Sequence, residues 1–187
     1  MLDLDGIADG VLAELRPGLS AAVLGQVEAL STALANAGRI ACYGVGREGL
    51  MMKAVAMRLY HLGLDAHVVG DMTTPPVGPG DVLFVSAGPG YFSTVAALAG
   101  VAQDAGAKVL CITAEPDGAV PQAADQVTHL PAQTMAADQG GAATSILPMG
   151  SLYEAMMFLF FEILILDLRD RVAISPDAMR AHHTNLE

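Results

Sequence analysis

Arg39-Ile40-Ala41-Cys42-Tyr43-Gly44-Val45-Gly46-Arg47-Glu48-Gly49 decides how this chain folds. An apolar run of strand length ends in closely spaced glycines. From 47 to 62 the spacing turns helical, with Leu50, Ala54, Met57 and Leu59 as apolar positions and Gly63 as the stop. The same alternation continues downstream. Strands are predicted over 66–69, 81–86, 108–113 and 126–130, and helices over 93–105 and 120–124. A polar, Gly-rich loop (133–143) then leads into a long helix from about 145 to 171, and Pro176 restarts a short C-terminal helix. Upstream, Val23, Val27, Leu30 and Leu34 mark a helix that Pro17-Gly18 separates from an earlier one and that Gly38 closes as its C-cap.

Apolar strands alternating with helices predict an α/β fold, a parallel sheet covered on both faces. Ligands of such sheets bind outside the carboxyl ends of the strands, which gathers the turns after Tyr43, Val69 and Ser86 around one crevice. The 187 residues suit one domain spanning 1–187, with a helical segment at about 1–37 and a tail at about 173–187.

Composition narrows the function classes. The chain is 53% hydrophobic and 16% charged, which argues for a folded core. Its 20 acidic and 9 basic residues give a net charge of -11, which disfavours nucleic acid and anionic membranes as partners. Cys42 and Cys111 lie in apolar runs outside any Cys-x-x-Cys pair, so they are read as buried thiols in a reducing cytoplasm. His67 and His129 show no metal-like spacing, and neither a metal nor a cofactor is expected. The N-terminal Met-Leu-Asp-Leu-Asp lacks the basic region of a signal peptide. Glu162 and Asp167 interrupt the apolar stretch 155–168, leaving it short of the ~20 residues of a membrane span. A core or subunit-interface helix is expected there.

The glycine pattern Gly44-x-Gly46-x-x-Gly49 alone is weak evidence. A dinucleotide site would want an acid about 20 residues on, at the end of the next strand, and Asp71 lies only loosely near that place. The longer string carries more. Gly44-Val45-Gly46-Arg47-Glu48-Gly49, then Ala56-Met57-Arg58-Leu59-Tyr60-His61-Leu62-Gly63, then Val68-Val69-Gly70-Asp71-x-Thr73-Thr74-Pro75 resembles the sugar isomerase (SIS) family, and within it the 6-phospho-3-hexuloisomerases. Pro148-Met149-Gly150-Ser151-Leu152-Tyr153-Glu154 and the terminal His183-x-Asn185-Leu186-Glu187 extend the match along nearly the whole chain.

The resemblance implies a three-layer α/β/α sandwich of flavodoxin-like type with a five-stranded parallel sheet. It also implies a homotetramer, or a dimer, with active sites between subunits. The reaction implied moves a carbonyl between adjacent sugar carbons through an enediol. Glu154 matches the catalytic base; a carboxylate at a helix start, walled by Leu152 and Tyr153, would gain basicity by desolvation. Its alternative role is charge complementarity with the helix N-terminus. His183 matches the second proton carrier, reaching a neighbouring subunit's site, unless the terminus simply frays. His61 shares the string and is taken as a binding residue, although its place late in a helix also suits a capping cation.

Two turns depart from the family. Where relatives carry Ser-Gly-Ser-Gly-x-Thr to cradle a sugar phosphate, this chain has Ala87-Gly88-Pro89-Gly90-Tyr91-Phe92. Both serines and the threonine are gone, and Pro89 lacks an N–H. The first turn has Glu48 in place of a phosphate-facing serine; that carboxylate either repels an anion or satisfies its own helix end. A shifted register, with Ser86 and Ser93 as the functional hydroxyls, is the other reading of the loop. Leu147 stands where the hexuloisomerases tend to show Gln. Substrate-binding residues expected on this basis are Gly46, Arg47, Glu48, His61, Thr73, Ala87, Gly88, Gly90 and Tyr91. The leading expectation is a sugar isomerase with altered or lost phosphate recognition, in which Glu48 suits a polyol's hydroxyls. A genuine 6-phospho-3-hexuloisomerase and a non-catalytic carbohydrate-binding domain are the alternatives.

Overall fold

A computed structural model describes residues 2–139, 141 and 143–186; Glu187 of the terminal motif lies outside them. Five strands form one parallel sheet: β1 (Ile40–Tyr43), β2 (Ala66–Val68), β3 (Val82–Ser86), β4 (Lys108–Thr113) and β5 (Gln126–His129). Their order is β2-β1-β3-β4-β5, so the winding reverses between β1 and β3. In register, Cys42 stands beside Phe84 and Tyr43 beside Val85, which brings the turns after β1 and β3 to one edge. That is the switch point where such sheets bind ligands.

Alternation along the strands builds two cores. Phe84, Leu110 and Ile112 point to one face, under the helices α3 (Val27–Ala35), α4 (Gly46–His61) and α7 (Ser151–Arg171). Leu83, Val85, Val109 and Cys111 point to the other, under α5 (Ser93–Asp104) and α6 (Ala119–Ala123). The three-layer α/β/α sandwich is the fold expected. Two short helices, α1 (Leu4–Leu15) and α2 (Ala21–Leu24), precede α3.

Several local expectations need correction. Helix α3 ends at Ala35 with Asn36 as its cap, so Gly38 is not the C-cap. In α4 the buried stripe is Met52, Val55, Ala56 and Leu59, whereas Leu50 and Met57 are exposed. The long helix starts at Ser151 rather than near 145, because Met149 and Gly150 both adopt left-handed backbone (φ 58° and 75°), which no right-handed helix can include. Counted from Pro148 that segment is 24 residues with mean hydropathy 1.7, long and apolar enough to meet a span's length requirement after all. Packing decides its role: Tyr153, Met156, Met157, Phe160, Phe161 and Leu164 are buried in the core.

The tail is packed against the domain as far as His183. After Ser175 caps α8 (Pro176–Ala181), the chain folds back on the C-terminal end of α4. There His182 meets Tyr60 edge-on at 6.0 Å, and His183 stacks on His61 at 5.3 Å.

Candidate active site

The first turns of α4 and α7, about a hundred residues apart in sequence, meet at the switch point. From α4, the Arg47 guanidinium donates to Ser151 Oγ at 2.8 Å and to the Met149 carbonyl, holding the start of α7. Its Nη2 also lies 3.3 Å from Glu154 Oε2. That separation suits an ion pair, yet Glu154 Oε2 is buried and accepts no hydrogen bond among the described residues. Leaving a buried carboxylate oxygen unsatisfied is costly, and native folds pair nearly all such atoms with protein, water or a ligand. Burial raises the Glu154 pKa above its ordinary 4.5, against the lowering effect of Arg47.

Glu48, the next residue of α4, turns inward and is only 6% exposed. It does not cap its own helix, which has no side-chain cap. It reaches across to the turn after β3, where Oε2 accepts from Ser86 Oγ at 2.6 Å and from the Gly88 N–H at 2.9 Å. With its single proton committed to Glu48, Ser86 Oγ accepts from the Tyr153 hydroxyl, 3.3 Å away. Burial raises the Glu48 pKa, the hydrogen bonds from Ser86 and Gly88 oppose the rise, and the charge of Glu154 adds to it. Burial beside Glu48 also holds Tyr153 well above the ordinary phenol range. Gly88 has no room for a side chain: a Cβ would lie 2.7 Å from both Glu48 Oε1 and the Tyr153 ring.

The backbone donors from Ala87 to Gly90 are all committed. Ala87 N–H donates to the Ile112 carbonyl at 3.0 Å, Gly88 N–H to Glu48, and Gly90 N–H to the Ala87 carbonyl at 2.8 Å. Pro89 has none to give. A second anion about 4 Å from the Glu48 carboxylate would meet repulsion of about 4 kcal/mol at an effective dielectric of about 20. In the shifted register Ser86 would be a ligand hydroxyl, but it is fully buried and bonded to Glu48. Ser93 and Thr94 open α5 and are exposed, as is Tyr91.

The remaining expected residues lie elsewhere. Gly46 lines a cleft of about 260 Å³ at the carboxyl ends of β1 and β2, with Tyr43, Lys53 and Val69. Thr73 lines an adjoining one of about 260 Å³ with Lys53, Tyr60 and Asp71. His61 and His183 line a pocket of about 280 Å³ with Arg58, Arg169 and Arg180. Helix α4 carries Arg47 at one end and His61 at the other, about 21 Å apart at 1.5 Å per residue. One chain therefore does not bring His183 to Glu154. Ser151 and Lys53 escaped sequence reading; the signal for Ser151 was its place at a helix start, and for Lys53 its position seven residues, two turns, after Gly46.

The SIS domain family model matches residues 33–159, more than half of the chain. The chain belongs to the SIS family. It is 35% identical over 170 residues to the 3-hexulose-6-phosphate isomerase of Bacillus subtilis (strain 168), covering 90% of this chain and 91% of that one. The corresponding isomerase of Mycobacterium gastri is 36% identical over 162 residues, 87% of this chain and 80% of that one. Among solved structures, a hypothetical protein of Methanococcus jannaschii, whose structure was taken to imply 3-hexulose-6-phosphate isomerase function, superposes with a TM-score of 0.80. The two are 26% identical, and the match covers 99% of each. Both cysteines are buried free thiols whose pKa burial pushes up to about 12, which leaves them unreactive.

Proposed function

We propose that this SIS domain is a sugar isomerase that moves a carbonyl between adjacent carbons through an enediol, with altered or lost phosphate recognition. The observation that carries this reading is the buried Oε2 of Glu154 at the start of α7, which accepts no hydrogen bond among the described residues and lies beside Arg47. For a 2-ketose, Glu154 takes the proton from C3 and the electron pair forms the enediol C2=C3 bond. It then returns the proton to C2, while the O3 proton moves to O2, giving the 3-ketose with atoms and charge balanced. Arg47 holds the helix start that aims the carboxylate, and its charge opposes the effect of burial on the Glu154 pKa. His183 serves as the oxygen-to-oxygen proton carrier, supplied by a neighbouring copy of the chain, since within one chain it sits at the far end of α4. A homotetramer or dimer with sites between subunits follows from this reading. Two buried free thiols support a cytoplasmic setting. Incubating D-fructose or D-fructose 6-phosphate in heavy water tests the chemistry: deuterium uptake at C3, lost in Glu154→Gln, is expected.

The names of the relatives favour a second reading, a genuine 6-phospho-3-hexuloisomerase. The phosphate would then use the start of α5, with Ser93 and Thr94 replacing the missing hydroxyls. Formation of fructose 6-phosphate from 3-hexulose 6-phosphate, abolished by replacing both residues with Ala, is the outcome that reading requires.

A further inference from the structure

We propose that Glu48 reverses the polarity of the cradle: Oε2 takes up the loop's own donors, and Oε1 accepts a hydrogen bond from the ligand. The site thereby selects a sugar with a hydroxyl, rather than a phosphate, on its terminal carbon. This proposal rests on the isomerase reading and names the substrate class of that site.

The two oxygens of Glu48 are not equivalent. Both hydrogen bonds it receives end on Oε2, from Ser86 Oγ and Gly88 N–H. Oε1 accepts none among the described residues. Among those residues the buried side-chain atoms without a hydrogen-bond partner are Arg58 Nε and Glu154 Oε2. Oε1 therefore has acceptor capacity that the described residues leave unused. One oxygen is anchored to the scaffold, and the other is an acceptor without a donor among the described residues.

A carboxylate held this way lacks the freedom to swing out for an incoming anion. Its removal would leave Ser86 Oγ and Gly88 N–H unsatisfied in a buried place. A phosphate needs donors, and the loop from Ala87 to Gly90 has none left to offer. A hydroxyl needs an acceptor, and Oε1 is one. Sites built around hydrogen-bonding groups of fixed sense discriminate strongly against a ligand of the wrong sense, because the mismatch strands polar groups on both sides.

Calorimetric titration of D-fructose, D-fructose 6-phosphate and inorganic phosphate into wild type, Glu48→Ser and Glu48→Gln tests the assignment. Glu48→Ser, folded by its circular dichroism, is expected to bind fructose 6-phosphate and inorganic phosphate at least tenfold tighter than wild type. Glu48→Gln removes charge but keeps the bulk, and should gain less than the serine variant. Wild type binding the phosphosugar at least as tightly as fructose overturns the proposal, as does a folded Glu48→Ser with no gain for either phosphate probe. Should the serine variant fail to fold, the glutamine variant decides: a threefold or larger shift of preference toward the phosphosugar supports the proposal, and none overturns it. Heavy-water exchange separates the two levels. Exchange confined to phosphosugars contradicts the polarity assignment and leaves the isomerase reading standing. Selective binding of fructose without exchange does the reverse.

Discussion

Glu48 and Glu154 are both acids at helix starts, yet their environments give them different work. Glu154 has a buried oxygen with no hydrogen bond and an arginine beside it, which suits a base. Glu48 is engaged by a hydroxyl and an N–H, which suits a fixed acceptor. Identity and position of both were legible in the sequence, through the family string. Their wiring was not. Nothing local to residues 46–49 says that Glu48 reaches Ser86 and Gly88 of another strand turn, or that Arg47 holds Ser151. The raised pKa of Glu48 has a consequence for stability. The folded state holds its proton more tightly than the unfolded chain does, so stability falls as pH rises from about the ordinary 4.5 through the raised value. Glu48→Gln lacks that titration. Thermal unfolding across pH should show the variant gaining on wild type as pH climbs; a constant difference would contradict the burial argument.

At the scale of elements, the candidate site is a junction of two helix starts with the β3 turn between them. Strands and the switch point were readable from apolar runs and glycine turns. The start of α7 was not, because the apolar spacing runs on through 145–150 while the backbone there turns left-handed at Met149 and Gly150. The exposed face of α4 misled for a related reason: Leu50 and Met57 are apolar without being core, so hydropathy alone mixed surface positions with the buried Leu59. Close packing at the junction gives a direct test. Gly88→Ala would push a methyl group against the Tyr153 ring and Glu48 Oε1, each 2.7 Å from its ideal position. The expected loss is about 1–3 kcal/mol, the usual range for overpacking, measured by urea unfolding. Unchanged stability would mean that the α4–α7 junction is looser than its geometry.

At the scale of the molecule, the α/β/α sandwich was the most legible feature, because it rests on many strand–helix alternations rather than on any one residue. The association of chains is the least legible, because a sequence does not say which exposed surfaces meet. Yet Glu154 and the His61–His183 stack lie near opposite ends of α4. If each site takes Glu154 from one chain and His183 from another, two inactive variants should complement each other. Mixing Glu154→Gln with His183→Ala under conditions of subunit exchange is expected to restore about a quarter of wild-type activity, the share of intact sites in randomly paired dimers. No recovery, with exchange verified by mass, would place the complete site within one chain or remove His183 from it.

The most direct measurement remains proton exchange at the sugar carbon. Wild type, supplied with D-fructose and D-fructose 6-phosphate in heavy water, is predicted to incorporate deuterium at C3. Glu154→Gln should lower the rate by about 10²–10⁴-fold, the range for loss of a general base. Exchange that persists unchanged in Glu154→Gln, or no exchange in wild type with sugars it demonstrably binds, would contradict the account.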